Sequence, residues 1–186
     1  MSQASLEWNF DELLTVTVKC FNDKHVLPGM ILLYAHIDIA ASLNRPESKA
    51  EATRDDFKNW VNEYLLPESN LNCTADDLYA ARCGLLHAYT SESRASRAGE
   101  AKQIFYAWGT AADGVLQQRL QRVGLDSIAT GIHIDTLFDA YQTAIHRFMD
   151  TLAQDNKKAQ LAYRRADKFF TNIPKSRLGL SASDGT

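Results

Sequence analysis

The chain has 186 residues, 45% of them hydrophobic and 23% charged, with a net charge of −3. That is the length of one domain with a proper core and the composition of an ordinary soluble globular protein, and the small net charge singles out no class of partner. Three irregularly spaced cysteines, Cys20, Cys73 and Cys83, exclude a disulfide framework. The N-terminus lacks the basic lead and apolar run of a signal peptide, and no uninterrupted apolar run approaches the ~20 residues of a membrane span, so the expectation is a cytoplasmic protein with no membrane partner.

The first helix is read from Leu6, Phe10, Leu13, Leu14, Val18 and Phe21 at helical spacing, although residues 15–18 would also suit a strand. Pro28-Gly29 punctuates the chain before a second helix, Met30 to about Leu43, which is interrupted by His36 and Asp38 and ended by Asn44-Arg45-Pro46. A third, from about Ala50, carries Phe57, Trp60, Val61, Tyr64 and Leu65 on one face and stops before Pro67. The fourth starts after Thr74, whose hydroxyl can cap the amides of residues 75–77, with Asp76 and Asp77 suiting the helix dipole. It runs to about Tyr89.

The polar segment from Thr90 to Gly99 reads as a loop. Residues 103–108 and 127–134 look like short strands that pair as a ribbon, with a short helix around Val115 to Val123 between them. A fifth long helix spans about Asp135 to Ala153, and a sixth follows to about Phe170 unless the two are continuous. The expected architecture is mainly α: an up-and-down helical bundle over residues 1–175 with a small two-stranded β insertion, and a disordered tail over 176–186.

Arg82-Cys83-Gly84-Leu85-Leu86-His87 is the most informative stretch. Arginine is costly to bury without a partner, and histidine exchanges a proton near neutral pH. Together they supply a fixed positive charge and an acid/base, the minimum for chemistry on a phosphate. Five residues along a helix separate the two by about 140° and about 7.5 Å, so they border one cleft only at a helix edge or end, or where a second copy completes the site. Asp38 needs a counter-charge, and Arg82 is its most attractive partner; it would orient the arginine, with His36 beside it. A purely structural buried pair is the simpler reading of these residues, and one ion pair could serve both roles.

The Arg-x4-His pattern within a helical chain resembles the signature of the HEPN-like superfamily. The resemblance implies a helical bundle, a homodimer, and metal-independent RNA cleavage of a defence or toxin–antitoxin type. On it, Arg82 would stabilise phosphorane-like charge and His87 would act as acid/base or position the phosphate. The residue after the arginine is commonly polar in that superfamily and is Cys83 here, which favours the alternative of a non-catalytic module binding a nucleotide or protein partner.

Arg94 and Arg97, just after the motif, would grip flanking phosphates in such an RNase, or belong to a solvated loop. Seven basic residues against one acid between Lys157 and Arg177 make the C-terminal element basic on an otherwise net acidic chain. That element could approach RNA or an acidic partner, or simply be a solvated face. Cys83 and His87 share a metal-compatible spacing without further ligands in pattern, so no metal is expected, and no cofactor fingerprint is present. Trp8, Trp60 and Trp108 are spaced as core residues.

Overall fold

The computed structural model of the chain describes residues 3–88 and 93–169, with side chains described over 6–86 and 93–168. Its elements are α1 (Gln3–Asn22), α2 (Val26–Asn44), α3 (Arg54–Trp60) continued by a π turn (Val61–Leu65), α4 (Ala75–Ala88), α5 (Arg94–Arg97), β1 (Gln103–Ala107), α6 (Val115–Arg122), β2 (Ala129–His133), α7 (Ile134–Gln154) and α8 (Asn156–Phe169). The chain is therefore mainly helical with a small two-stranded sheet. The expected tail over 176–186 lies outside the described residues.

α2 is the central element and packs against α1, α3, α4, α7 and α8. It starts four residues earlier than its sequence signals because Pro28 falls in the first turn, where a missing N–H leaves no helical bond unmade. Its 19 residues are long and apolar enough to cross a membrane by length and composition, and 56% of the most apolar stretch is buried inside the domain. α3 starts at Arg54 rather than Ala50, where the Asp56 carboxylate accepts from the Thr53 amide at 2.8 Å. Trp60, Tyr34, Tyr141 and Phe148 are fully buried at the centre. Trp60 meets Phe148 edge-on at 6.3 Å and Tyr64 at 5.6 Å. Trp8 and Trp108, expected in the core, are instead 62% and 55% exposed. Helical and strand spacing set which residues share a face; they do not set which face the neighbours leave open.

α4 is capped as its sequence suggests. The Asp77 amide donates to the Thr74 hydroxyl at 3.2 Å, and the Thr74 amide donates to the Asp77 carboxylate at 2.9 Å. The other oxygen of the buried Asp77 accepts from the Lys102 amide at 2.5 Å, tying the start of the motif helix to the entrance of β1. The loop expected after the motif contains one helical turn, α5, nucleated where the Ser96 amide donates to the Ser93 hydroxyl at 3.1 Å and the Ser93 amide to the Ser96 hydroxyl at 2.8 Å.

β1 and β2 run parallel, with Gln103 opposite Ala129 and Ala107 opposite His133. The parallel sense follows from α6, which carries the chain back across the pair in one crossover. α6 lies directly on β2. A side chain at Gly131 would meet the Gln117 amide nitrogen and the Leu116 side chain at 2.8 Å each. Gly131→Ala is therefore expected to lower unfolding free energy by about 1–3 kcal/mol, as overpacking does elsewhere. Urea unfolding that gives the variant an unchanged midpoint would refute this close approach.

Candidate functional site

The Arg82 Nε donates to Asp38 Oδ2 at 2.8 Å, joining the motif helix α4 to α2. This is the pairing the sequence suggested. Neither side chain is in a dry core: Arg82 is 22% exposed and Asp38 28%. Burial works against the guanidinium charge, but the hydrogen bond and attraction of Asp38 outweigh it and hold the arginine above its ordinary pKa. Arg82 stays charged at any working pH. In water-accessible surroundings such a pair contributes about 1 kcal/mol to stability.

Two residues join the pair that the motif alone did not single out. Tyr79 lies one turn before Arg82, its ring centroid 6.0 Å from the guanidinium carbon, a cation–π arrangement. Phe57 meets the same ring edge-on at 5.5 Å and fixes its orientation. Cys83 Sγ lies 4.0 Å from Arg82 Nη1. Burial, followed by the hydrogen bond to Cys83, raises the Tyr79 pKa, so its hydroxyl stays protonated at neutral pH. The signal for Tyr79 was its i, i+3 position relative to Arg82 on an amphipathic helix.

The other candidates are distributed as follows. His87 lies in the last turn of α4, and its side chain is outside the described residues. His36 is fully buried, its ring centroid 5.6 Å from that of Tyr141. Two residues along α2 turn the helix about 200°, so the same helix that presents Asp38 to Arg82 sends His36 into the core. Neither ring nitrogen of His36 has a hydrogen-bond partner among the described residues. Burial lowers its pKa from 6.5 to about 4, so it is neutral at pH 7. Arg94 and Arg97 are exposed on α5, which packs against α4.

The basic run of α8 is largely engaged within the fold. Lys158 donates to the Tyr64 hydroxyl at 2.8 Å, Arg164 pairs with Glu47 at 3.1 Å, and Arg165 is buried. Lys157 and Lys168 are exposed, while Lys175 and Arg177 lie outside the described residues. Among the described residues no group of three or more His, Cys, Asp or Glu side chains could hold a metal ion.

The arrangement is a fixed, partly exposed cation with a carboxylate on its Nε edge and an aromatic ring beside it, on a helix whose last turn carries a histidine. It suits an anion, a phosphate above all. No family model, curated protein or solved structure matches the chain.

Proposed function

We propose that this chain is a HEPN-like, dimeric, metal-independent ribonuclease in which Arg82 and His87 act on the RNA phosphate. The observation that carries the reading is the placement of Arg82: charged, paired with Asp38 and partly open to solvent, on the helix whose last turn holds His87. A purely structural arginine gains only about 1 kcal/mol from a carboxylate at a partly exposed position, so orientation for an incoming anion accounts for the pair at least as well. In the reaction the 2′-hydroxyl attacks the adjacent phosphate, His87 moves the proton, and Arg82 stabilises the charge that gathers on the phosphoryl oxygens. Arg94 and Arg97 would hold flanking phosphates. Because Arg82 and His87 diverge around one helix, a second protomer completes the site, with the motif helix beside its symmetry mate. Sedimentation at micromolar concentration should show a dimer, and a clean monomer would count against the reading.

Arg82→Ala and His87→Ala should each reduce cleavage of single-stranded RNA by about 10²-fold or more. Arg82→Ala should lower stability by only about 1 kcal/mol, and EDTA should leave the wild-type rate unchanged. Cleavage that survives both substitutions, or that chelator abolishes, would refute the catalytic assignment.

The occupied Nε edge and the apolar thiol of Cys83 favour a second reading, a non-catalytic module that binds a nucleotide or protein partner through Arg82. Binding of RNA or nucleotide that is lost in Arg82→Ala, without any cleavage by the wild type, selects it.

A further inference from the structure

At the carboxyl ends of β1 and β2 lies a groove that the Arg82 site does not use. Two cavities of about 170 Å³ and 210 Å³ share Asn70, Asp113 and Thr136 in their walls and form its two halves. The crevice outside the carboxyl ends of parallel strands is where α/β units commonly hold ligands. Here the end of β2, with Ile132 and His133, forms one wall, and the loop after β1 with Asp113 and Gly114, Gln117 of α6, Thr136 of α7 and residues 70–72 before α4 form the rest.

The smaller half is chemically specific. Leu71 and Ile132 are its apolar lining residues, and Asn70, Asn72 and Gln117, each with a side-chain amide, line it with them. Gln117 is oriented by its Oε1, which accepts from the Gly131 amide at 2.8 Å, while the Thr130 hydroxyl, 3.2 Å from the same oxygen, donates its one proton to the Asn72 carbonyl at 2.7 Å. Its NH₂ group is thereby directed away from those partners and has none of its own among the described residues. Asp113 is fixed in turn by the Thr136 hydroxyl, which donates to its Oδ1 at 2.9 Å.

Charge narrows the choice of occupant. No lysine or arginine lines either half, whereas Glu68, Asp113 and Asp139 do. A phosphate would meet repulsion from these carboxylates. A neutral planar ring that both donates and accepts hydrogen bonds would meet matching amides, an apolar face for its ring and a carboxylate for an exocyclic amine. Asparagine and glutamine pair with the adenine edge, and a carboxylate accepts from the cytosine amine. The volume suits one ring system rather than a whole nucleotide.

We propose that this groove binds the amino-bearing base of a nucleoside, adenine or cytosine in type, independently of the Arg82 site. The test is a titration of the ¹⁵N-labelled full chain with adenosine, cytidine, uridine and adenosine monophosphate, read at the side-chain amide resonances. Adenosine and cytidine should shift Asn70, Asn72 and Gln117 saturably, with a dissociation constant on the order of 1 mM for so few contacts. Uridine, which lacks the amine, should bind more weakly than either. The monophosphate should bind about fivefold more weakly than adenosine, the size of one like-charge contact through water at ~4 Å. Asn72→Ala, at an exposed loop position, should weaken adenosine while leaving the backbone spectrum folded, and Arg82→Ala should leave adenosine binding unchanged. No saturable shift at about ten times that concentration, uridine binding equal to adenosine, tighter monophosphate binding, or an Asn72→Ala variant that binds normally would each overturn the proposal.

Discussion

Lowering the pH from 7 to about 4 is expected to cost this protein about 3 kcal/mol through His36 alone. The ring is fully buried, without a hydrogen-bond partner among the described residues, and burial is the cause of its lowered pKa. In the unfolded chain it takes up a proton near pH 6.5, whereas the folded chain resists until about 4. Between those values the unfolded state binds more protons. Stability is therefore full above 6.5, falls as the pH drops through the window, and levels off below it. For a chain of this length that is a fall in Tm of about 6–12 °C. The surface carboxylates add their own acid dependence, so the decisive comparison is with His36→Leu. That variant should lose about 3 kcal/mol less than wild type over the same pH range, because it has no ring left to protonate. Parallel pH profiles for the two proteins would remove His36 as the cause.

Arg165→Leu should destabilise the domain by about 3 kcal/mol or more. The guanidinium reaches the carboxyl-terminal end of α2, donating from Nη1 to the Leu43 carbonyl at 3.1 Å and to the Arg45 carbonyl, and from Nη2 to the Pro46 carbonyl at 2.8 Å. Helix ends leave carbonyls without partners, and a cation suits the negative end of the helix dipole. Arg45 serves the same end locally, donating from Nη1 to the Ser42 carbonyl and, at 2.8 Å, to the Ser42 hydroxyl. Leucine fills part of the space but takes this donor from the Leu43 and Arg45 carbonyls, while the Pro46 carbonyl keeps the Lys49 amide at 3.1 Å. Arg165→Lys should recover only part of the loss, since one ammonium cannot reproduce the planar fork. Urea unfolding measures all three proteins, and an Arg165→Leu midpoint equal to wild type would refute the clamp.

The long helices other than the central α2 were legible because each buries one face, and that leaves a period in the sequence; α2 was legible as an apolar run bounded by Pro28-Gly29 and Asn44-Arg45-Pro46. Leu137, Phe138, Tyr141, Ile145, Phe148 and Leu152 mark α7, and the structure buries all of them but Phe138, which is partly buried. The Arg82–Asp38 pair was legible for a different reason: two opposite charges in apolar segments need partners, and each was the best available for the other. What stayed hidden depends on rotation and on distance along the chain. His36 and Asp38 are nearly neighbours in sequence, yet one faces the core and the other faces Arg82. Arg165 looked like part of a basic run, and its use at α2 is a contact across 122 residues to Leu43 that no local pattern encodes. Asp77 signalled a helix start correctly, but its second oxygen on Lys102 depends on where β1 arrives.

The clamp of Arg165 on α2 also bears on how the protein is made. During synthesis α2 emerges early, with the apolar sequence of a central core helix, while the arginine that finishes its carboxyl-terminal end emerges some 120 residues later. At translation speeds of about 5–20 residues per second that interval lasts from several seconds to tens of seconds. Throughout it, this apolar helix lacks its final cap and a complete α8, and for most of it α7 as well. The nascent protein thus passes through a period in which its future central helix lacks the partners that later cover it.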